Sequence, residues 1–187
     1  GTAGRNPGNP EEDRLNKESL FKSAKDRAEN VMVVDLVRND LSRVCKEGSV
    51  KVDELYGIYS FPQVHQMIST VSGELNEETT ISQILKAIFP MGSMTGAPKK
   101  RVMQLIEQYE RTRRGIFSGA LGYIDPQGDF DFNVVIRSIM YNQQDDCLSF
   151  QAGSGITHYS VAEAEWEECM WKAAAIINVL EKTTGSL

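Results

Sequence analysis

The sequence predicts an α+β fold in which helices accompany antiparallel β-strands. Three observations carry that prediction. Stretches with helical spacing of apolar residues alternate with β-branched and aromatic runs. The runs in the second half are joined by short connections, "DPQG" and "NQQDD", whose turn chemistry suits an antiparallel meander. The chain has 187 residues, 41% hydrophobic and 25% charged, the proportions of an ordinary globular domain.

The elements follow in order. Residues 1–10 are rich in Gly, Pro and Asn and read as loop. From Pro10 to Val44 there is no further Pro or Gly, and Leu15, Phe21, Ala24, Ala28 and Val31 recur at helical intervals. "NVMVVDLVRNDLSRV" has a strand-like β-branched run, but Val33, Val37, Leu41 and Val44 keep a helical stripe, so helix is expected. "EGSVKVDELYGIYSFPQVHQMISTVSGEL" reads as strands broken by turns, and "TTISQILKAIF" as an amphipathic helix with Thr80 and Gln83 forming a capping box. "PMGSMTGAPK" is a glycine-rich loop leading to the helix "KKRVMQLIEQYE", whose first turn suits Pro98. Three strands are then expected, in "IFSGALGYI", "DFDFNVVIRSIMY" and "CLSFQAGSG". A last helix is expected to start at Ser160, with Glu163 completing a second capping box, and to run to about Glu181.

Charge and cysteine content exclude several classes. A net charge of -6 argues against nucleic acid as a partner, because phosphate binding needs a basic surface. Cys45, Cys147 and Cys169 show no paired spacing, and with only two histidines no zinc constellation exists. Reduced thiols imply a cytoplasmic setting. No apolar run reaches the roughly 18 residues that a membrane span needs.

The chemistry concentrates in carboxylates. On the final helix, an apolar stripe is expected at Ala162, Trp166, Cys169, Ala173, Ile177 and Leu180. Glu163 and Glu167 point away from it, whereas Glu165 and Glu168 stack along its edge with Lys172. Such acids either complement the helix dipole and pair with Lys172, or hold a cation. Upstream, Asp26 and Glu29 are again three apart beside an apolar face, and two such pairs are suited to one hard cation such as Mg2+. Both readings stay open at this point.

Two glycine-rich runs offer backbone amides. "MGSMTGAPKK" lacks the GxxxxGK[ST] pattern of a nucleotide-binding P-loop, but its N–H groups, Ser93, Thr95 and a helix start could cradle a carboxylate. "AGSGIT" at 152–157 brings further amides; a plain connection is the equal alternative for both runs. Arg137 lies in an otherwise apolar predicted strand, either at an edge or as an anion contact, and Tyr123 could join it from the neighbouring strand. His65, isolated in its strand, is of a kind more often structural than catalytic.

Taken in order, "GTAGRNPGNPEED", "KDRAENVMVVDLVRNDLSRV", "VHQMISTVSGEL", "FPMGSMTGAPKKRVMQLIE", "SGALGYIDPQGDFDFNVVIRS", "AGSGIT" and "EAEWEECMWKA" resemble the chorismate-utilising enzyme family over essentially the whole chain. The GS-x-TGAPK loop is similar to its ammonia-using members, and "SAKDRAEN" to the branch that forms aminodeoxychorismate (component I). The resemblance implies Mg2+-dependent amination of chorismate to 4-amino-4-deoxychorismate for 4-aminobenzoate and folate synthesis, with ammonia from a glutaminase subunit. Anthranilate plus pyruvate is the alternative product, and a non-catalytic chorismate-binding module the alternative of another class. Carried over by motif, Glu29, Glu165 and Glu168 are implied magnesium ligands, with Asp26 behind them. Ser93 and the amides near Gly155 are implied to help hold the ring carboxylate. Arg137, Tyr123 and the Gly153 amide match positions that grip the enolpyruvyl carboxylate. His65 and Lys172 match residues beside the reacting ring and the metal. Ser154, Trp166 and Cys169 depart from the common pattern without removing a proposed ligand.

In this family "GT" follows a Pro-Ile-Lys or Pro-Ile-Ala segment. The resemblance therefore implies that residues 1–187 are the C-terminal portion of a single larger chorismate-binding domain, an α+β fold of antiparallel β-sheets packed with outer helices. The Lys or Ala before Gly1 and a general-acid glutamate would lie upstream, and this portion alone is expected to lack turnover.

Overall fold

The structure, a computed structural model, describes residues 1–158 and 160–184. The chain divides into two compact units, Gly1–Glu110 and Arg111–Leu187. Both mix helices with antiparallel strands, the expected α+β class. Among the described residues no helix is long and apolar enough to cross a membrane.

The first unit is built on a three-stranded antiparallel sheet of order β1-β3-β2, from β1 (Thr2–Gly4), β2 (Lys51–Ser60) and β3 (Val64–Ser72). Strand β1 corrects the loop expected over residues 1–10. Its composition is poor for a strand, but the open edge of β3 supplies partners, Thr2 opposite Gln66 and Ala3 opposite His65.

Helices α1 (Pro10–Lys22) and α2 (Ala24–Leu41) occupy the long segment without Gly or Pro. Asn9 caps α1 by accepting from the Glu12 N–H, Pro10 sits at the first helical position, and Glu11, Glu12 and Asp13 complement the dipole. The chain breaks at Ser23, whose hydroxyl accepts from the Asp26 N–H at 3.2 Å and caps α2, a contact worth about 1 kcal/mol. The buried positions of α2 are Val34 and Asp40, with Val33 and Val37 only half-buried. The expected apolar stripe is thus rotated, and a carboxylate stands in it.

Helix α3 (Ile81–Ile88) carries the expected Thr80–Gln83 capping box. Its Ala87 packs with Val44, Cys45, Leu41 and Val50 in a core cluster where burial pushes the Cys45 thiol pKa upward. The glycine-rich loop contains a 3-10 turn, Gly92–Met94, and ends at α4 (Lys99–Tyr109). Pro98 is the N-cap of α4, one place before the first turn that suited it by sequence.

The second unit holds β4 (Ala120–Ile124) paired with β5 (Phe130–Val134), and β6 (Met140–Asn142) paired with β7 (Cys147–Ser149). The "DPQG" turn forms as expected, with the Asp125 carboxylate accepting from the Gln127 and Asp129 N–H groups at 2.9 Å. The predicted second strand does not run through. It is interrupted over residues 135–139, where Arg137 adopts a φ of +51°, so two separate hairpins replace one meander.

Helix α5 (Ala162–Thr184) begins two residues after Ser160. The Ser160 hydroxyl accepts from the Thr157 N–H at 2.9 Å, which corrects the expected cap. Among the described residues of α5, Glu165, Ala173 and Ile176 are buried, while Trp166 is 67% exposed. The inward face is therefore turned away from the predicted Ala162–Trp166 edge and toward Glu165.

Candidate carboxylate and anion sites

In the first unit, α2 presents Asp26 and Glu29 on its first two turns. Both side chains are partly exposed, and Glu29 Oε1 lies 3.9 Å from Lys25 Nζ in an i,i+4 pair. Asp26 faces the start of β1: its Oδ1 is 3.9 Å from the Gly1 nitrogen, and a Cβ on Gly1 would come within 2.6 Å of that oxygen. Any larger residue there would force the Asp26 side chain to shift.

His65 sits centrally in β3 and is 2% exposed. Its Nδ1 is 2.8 Å from Ser60 Oγ and its Nε2 is 3.2 Å from Asp13 Oδ1. An ionised carboxylate only accepts, so Nε2 carries a proton; in the neutral ring Nδ1 accepts from the Ser60 hydroxyl. Asp13 also accepts from Arg5 Nε and Nη2 at 3.3 and 3.1 Å, and from the Asn6 N–H at 2.8 Å. The Arg5 hydrogen bond is the largest influence on the Asp13 carboxyl. Partial burial opposes it, and the Asn6 N–H and the nearby positive charge add to it, holding the pKa at about 2.

A depressed carboxyl pKa stabilises the fold above the ordinary value near 3.8, and that contribution is lost as pH falls toward about 2. Melting temperature followed from pH 5 downward should therefore fall more steeply for the wild type than for Asp13→Asn in that window. Parallel profiles would show that Asp13 is not linked to folding.

Ser93 lies exposed in the 3-10 turn. The Thr95 hydroxyl, also considered for the anion cradle, donates to the Met91 carbonyl at 3.1 Å and closes the loop on itself. Helix α4 has no side-chain cap, so its first N–H groups remain orphaned by the helix geometry.

In the second unit, Glu165 is 5% exposed and Glu168 is half-buried. Lys172 Nζ lies 2.7 Å from Glu168 Oε1 and donates to the Gly153 carbonyl at 3.1 Å. One ammonium thus ties an acid of α5 to the "AGSG" loop, a link that sequence spacing alone does not reveal. A Cβ on Gly153 or Gly155 would meet nothing within 4 Å, so the backbone of that loop is open to approach. Tyr123 is 64% exposed on β4 opposite Asp131, and Arg137 is exposed beyond the end of β5. Pairing in the sheet therefore does not join Arg137 to Tyr123, because the strand breaks before the arginine.

Each unit holds one acid pair of its own. Among the described residues, neither unit by itself gathers three or more His, Cys, Asp or Glu side chains at metal-holding spacing. Each pair, Asp26 with Glu29 and Glu165 with Glu168, is all carboxylate, the chemistry that hard divalent cations select, and a buried carboxylate such as Glu165 needs compensation by a cation or by hydrogen bonds. These residues fit Mg2+ chemically.

Residues 1–178 match the chorismate binding enzyme family, and the chain belongs to that family of chorismate-utilising enzymes. It is 46% identical over 171 residues to anthranilate synthase component 1 of Aquifex aeolicus (strain VF5), covering 91% of this chain and 34% of that protein. It is 45% identical over 183 residues to aminodeoxychorismate synthase component 1 of Escherichia coli (strain K12), covering 97% of this chain and 40% of that one. The crystal structure of anthranilate synthase component I from Streptococcus pneumoniae TIGR4 superimposes with a TM-score of 0.78 at 36% identity, over 91% of this chain and 40% of that chain. The chain thus spans well under half the length of these relatives.

Proposed function

We propose that this chain belongs to an enzyme that aminates chorismate to 4-amino-4-deoxychorismate, using ammonia from a glutaminase subunit, with Mg2+ as cofactor. The observation that carries the reading is the cluster on α5: a buried Glu165, with Glu168 held by a lysine that also grips the Gly153 carbonyl. It supports one arrangement serving both a cation and an anion-binding loop.

In this reading Glu29, Glu165 and Glu168, with Asp26 behind them, would hold Mg2+. Held there, Mg2+ would supply positive charge to offset a substrate carboxylate and Lewis acidity toward the ring. The chain's own groups bind and orient. Arg137, Tyr123 and the Gly153 amide take the enolpyruvyl carboxylate, and Ser93 with the amides near Gly155 takes the ring carboxylate. Lys172 keeps Glu168 and the loop in register. The engaged ring of His65 supports a positioning role, holding β3 to α1 beside the substrate.

The anthranilate-forming reading is favoured by the 46% identity to an anthranilate synthase component. The full-length protein, incubated with chorismate, Mg2+ and ammonium, separates the two by mass spectrometry. An aminated product that keeps its enolpyruvyl group is expected. Anthranilate with free pyruvate would establish the second reading, and untouched chorismate with a folded protein would leave a binding module. Activity without Mg2+ would remove the metal from the proposal.

A further inference from the structure

Asp40 and Lys99 are 59 residues apart in sequence and take no part in the site described above. Asp40 is near the end of α2 and is 3% exposed; Lys99 opens α4, with its side chain 17% exposed. The Lys99 ammonium donates to Asp40 Oδ2 at 2.5 Å. A buried ion pair carries a desolvation cost of several kcal/mol per ion, so its net contribution to stability is small and its geometric consequence matters more.

A second contact lies one helical turn away. The Gly92 backbone rests on Leu36, and a Cβ at Gly92 would come within 2.8 Å of Leu36 Cβ and 2.9 Å of Leu36 Cδ1. Leu36 and Asp40 are i,i+4 neighbours, so the glycine-rich loop is held against one face of α2 at both its ends. At 100° per residue, Asp26, Glu29, Leu36 and Asp40 fall within about 80° of arc on that helix. The face that carries the acid pair at its start carries the loop's anchors at its end, about 16 Å further along.

We propose that Asp40 and Lys99 form a positioning pair that clamps the Gly92–Pro98 segment onto α2. The clamp sets where Ser93 stands relative to Asp26 and Glu29. The helix is the ruler and the ion pair is the pin. The kinetic consequence rests on the reading that Ser93 and the α2 acids meet chorismate; the clamp itself does not.

The test uses the full-length protein with Asp40→Leu/Lys99→Met, which removes both charges together and leaves neither buried alone. Amide exchange of residues 92–97, followed from milliseconds, should quicken by about tenfold while β3 amides stay unchanged. KM for chorismate should rise by about tenfold with kcat within about threefold, the pattern of lost positioning in binding. Unchanged loop exchange overturns the proposal whatever the kinetics, and a loosened loop with unchanged KM overturns the positioning role. Should the wild type leave chorismate untouched, the functional reading falls and the exchange data alone decide the clamp. Should the double variant not fold, Lys99→Arg keeps the cation on a longer head. A shifted KM at unchanged melting temperature then supports the clamp, and unmoved KM and loop exchange overturn it.

Discussion

Glu165→Gln in the full-length protein is expected to lower Mg2+-dependent chorismate turnover by about a thousandfold, equivalent to about 4 kcal/mol of transition-state stabilisation. Glutamine keeps the volume and one acceptor oxygen of a side chain that is 5% exposed, so packing around α5 is preserved while a formal charge is lost. Stability in the absence of metal should change little. The stabilisation that Mg2+ gives the wild type, read as a concentration-dependent rise in melting temperature, should weaken in the variant. A variant with full turnover and an unaltered Mg2+ response would remove Glu165 from the cation site. A variant that unfolds without metal would instead make Glu165 a partner in the protein's own packing.

Gly122→Ala should destabilise the protein by about 3 kcal/mol, because the new Cβ has nowhere to go. Gly122 lies opposite Phe132 in the β4–β5 ladder, and a Cβ there would overlap the Asp131 carbonyl oxygen and come within 2.7 Å of Phe132 Cα. These are backbone atoms, which cannot swing aside as a flexible side chain can, so β4 must shift and carry Tyr123 with it. A drop in melting temperature of roughly 10 °C is expected. Gly128→Ala is the internal comparison. Gly128 has a φ of +92° but open space around it, so alanine there meets conformational cost alone, about 1 kcal/mol. Equal losses at the two positions would show that the close approach across the ladder does not set the cost.

The parts of the fold legible in the sequence are those governed by local chemistry. The capping box at Thr80 and Gln83, the Asp125–Gly128 turn and the helical reading of "NVMVVDLVRNDL" each depend on residues within a few positions of one another. Strand β1 was not legible, because its partners in the sheet lie sixty or more positions away. The same holds for the break at Arg137, where local sequence is strand-like and the backbone nonetheless turns to a positive φ. The Ser23 cap was legible in principle, since a serine followed three residues later by Asp26 fits a helix start, but an unbroken run without Gly or Pro concealed it.

Sequence by itself determined the α+β class, the family, and which residue types could meet a cation or a carboxylate, because spacing on a helix and order of motifs survive without coordinates. Tertiary structure alone decided which acids are buried and what each cation touches. It turned α5 so that Glu165 faces inward and Trp166 outward, joined Lys172 to Gly153, engaged both nitrogens of His65, and set Asp40 against Lys99. The physical reason is that burial and long-range pairing depend on which face of an element finds a neighbour. Local periodicity constrains that choice only to within part of a helical turn.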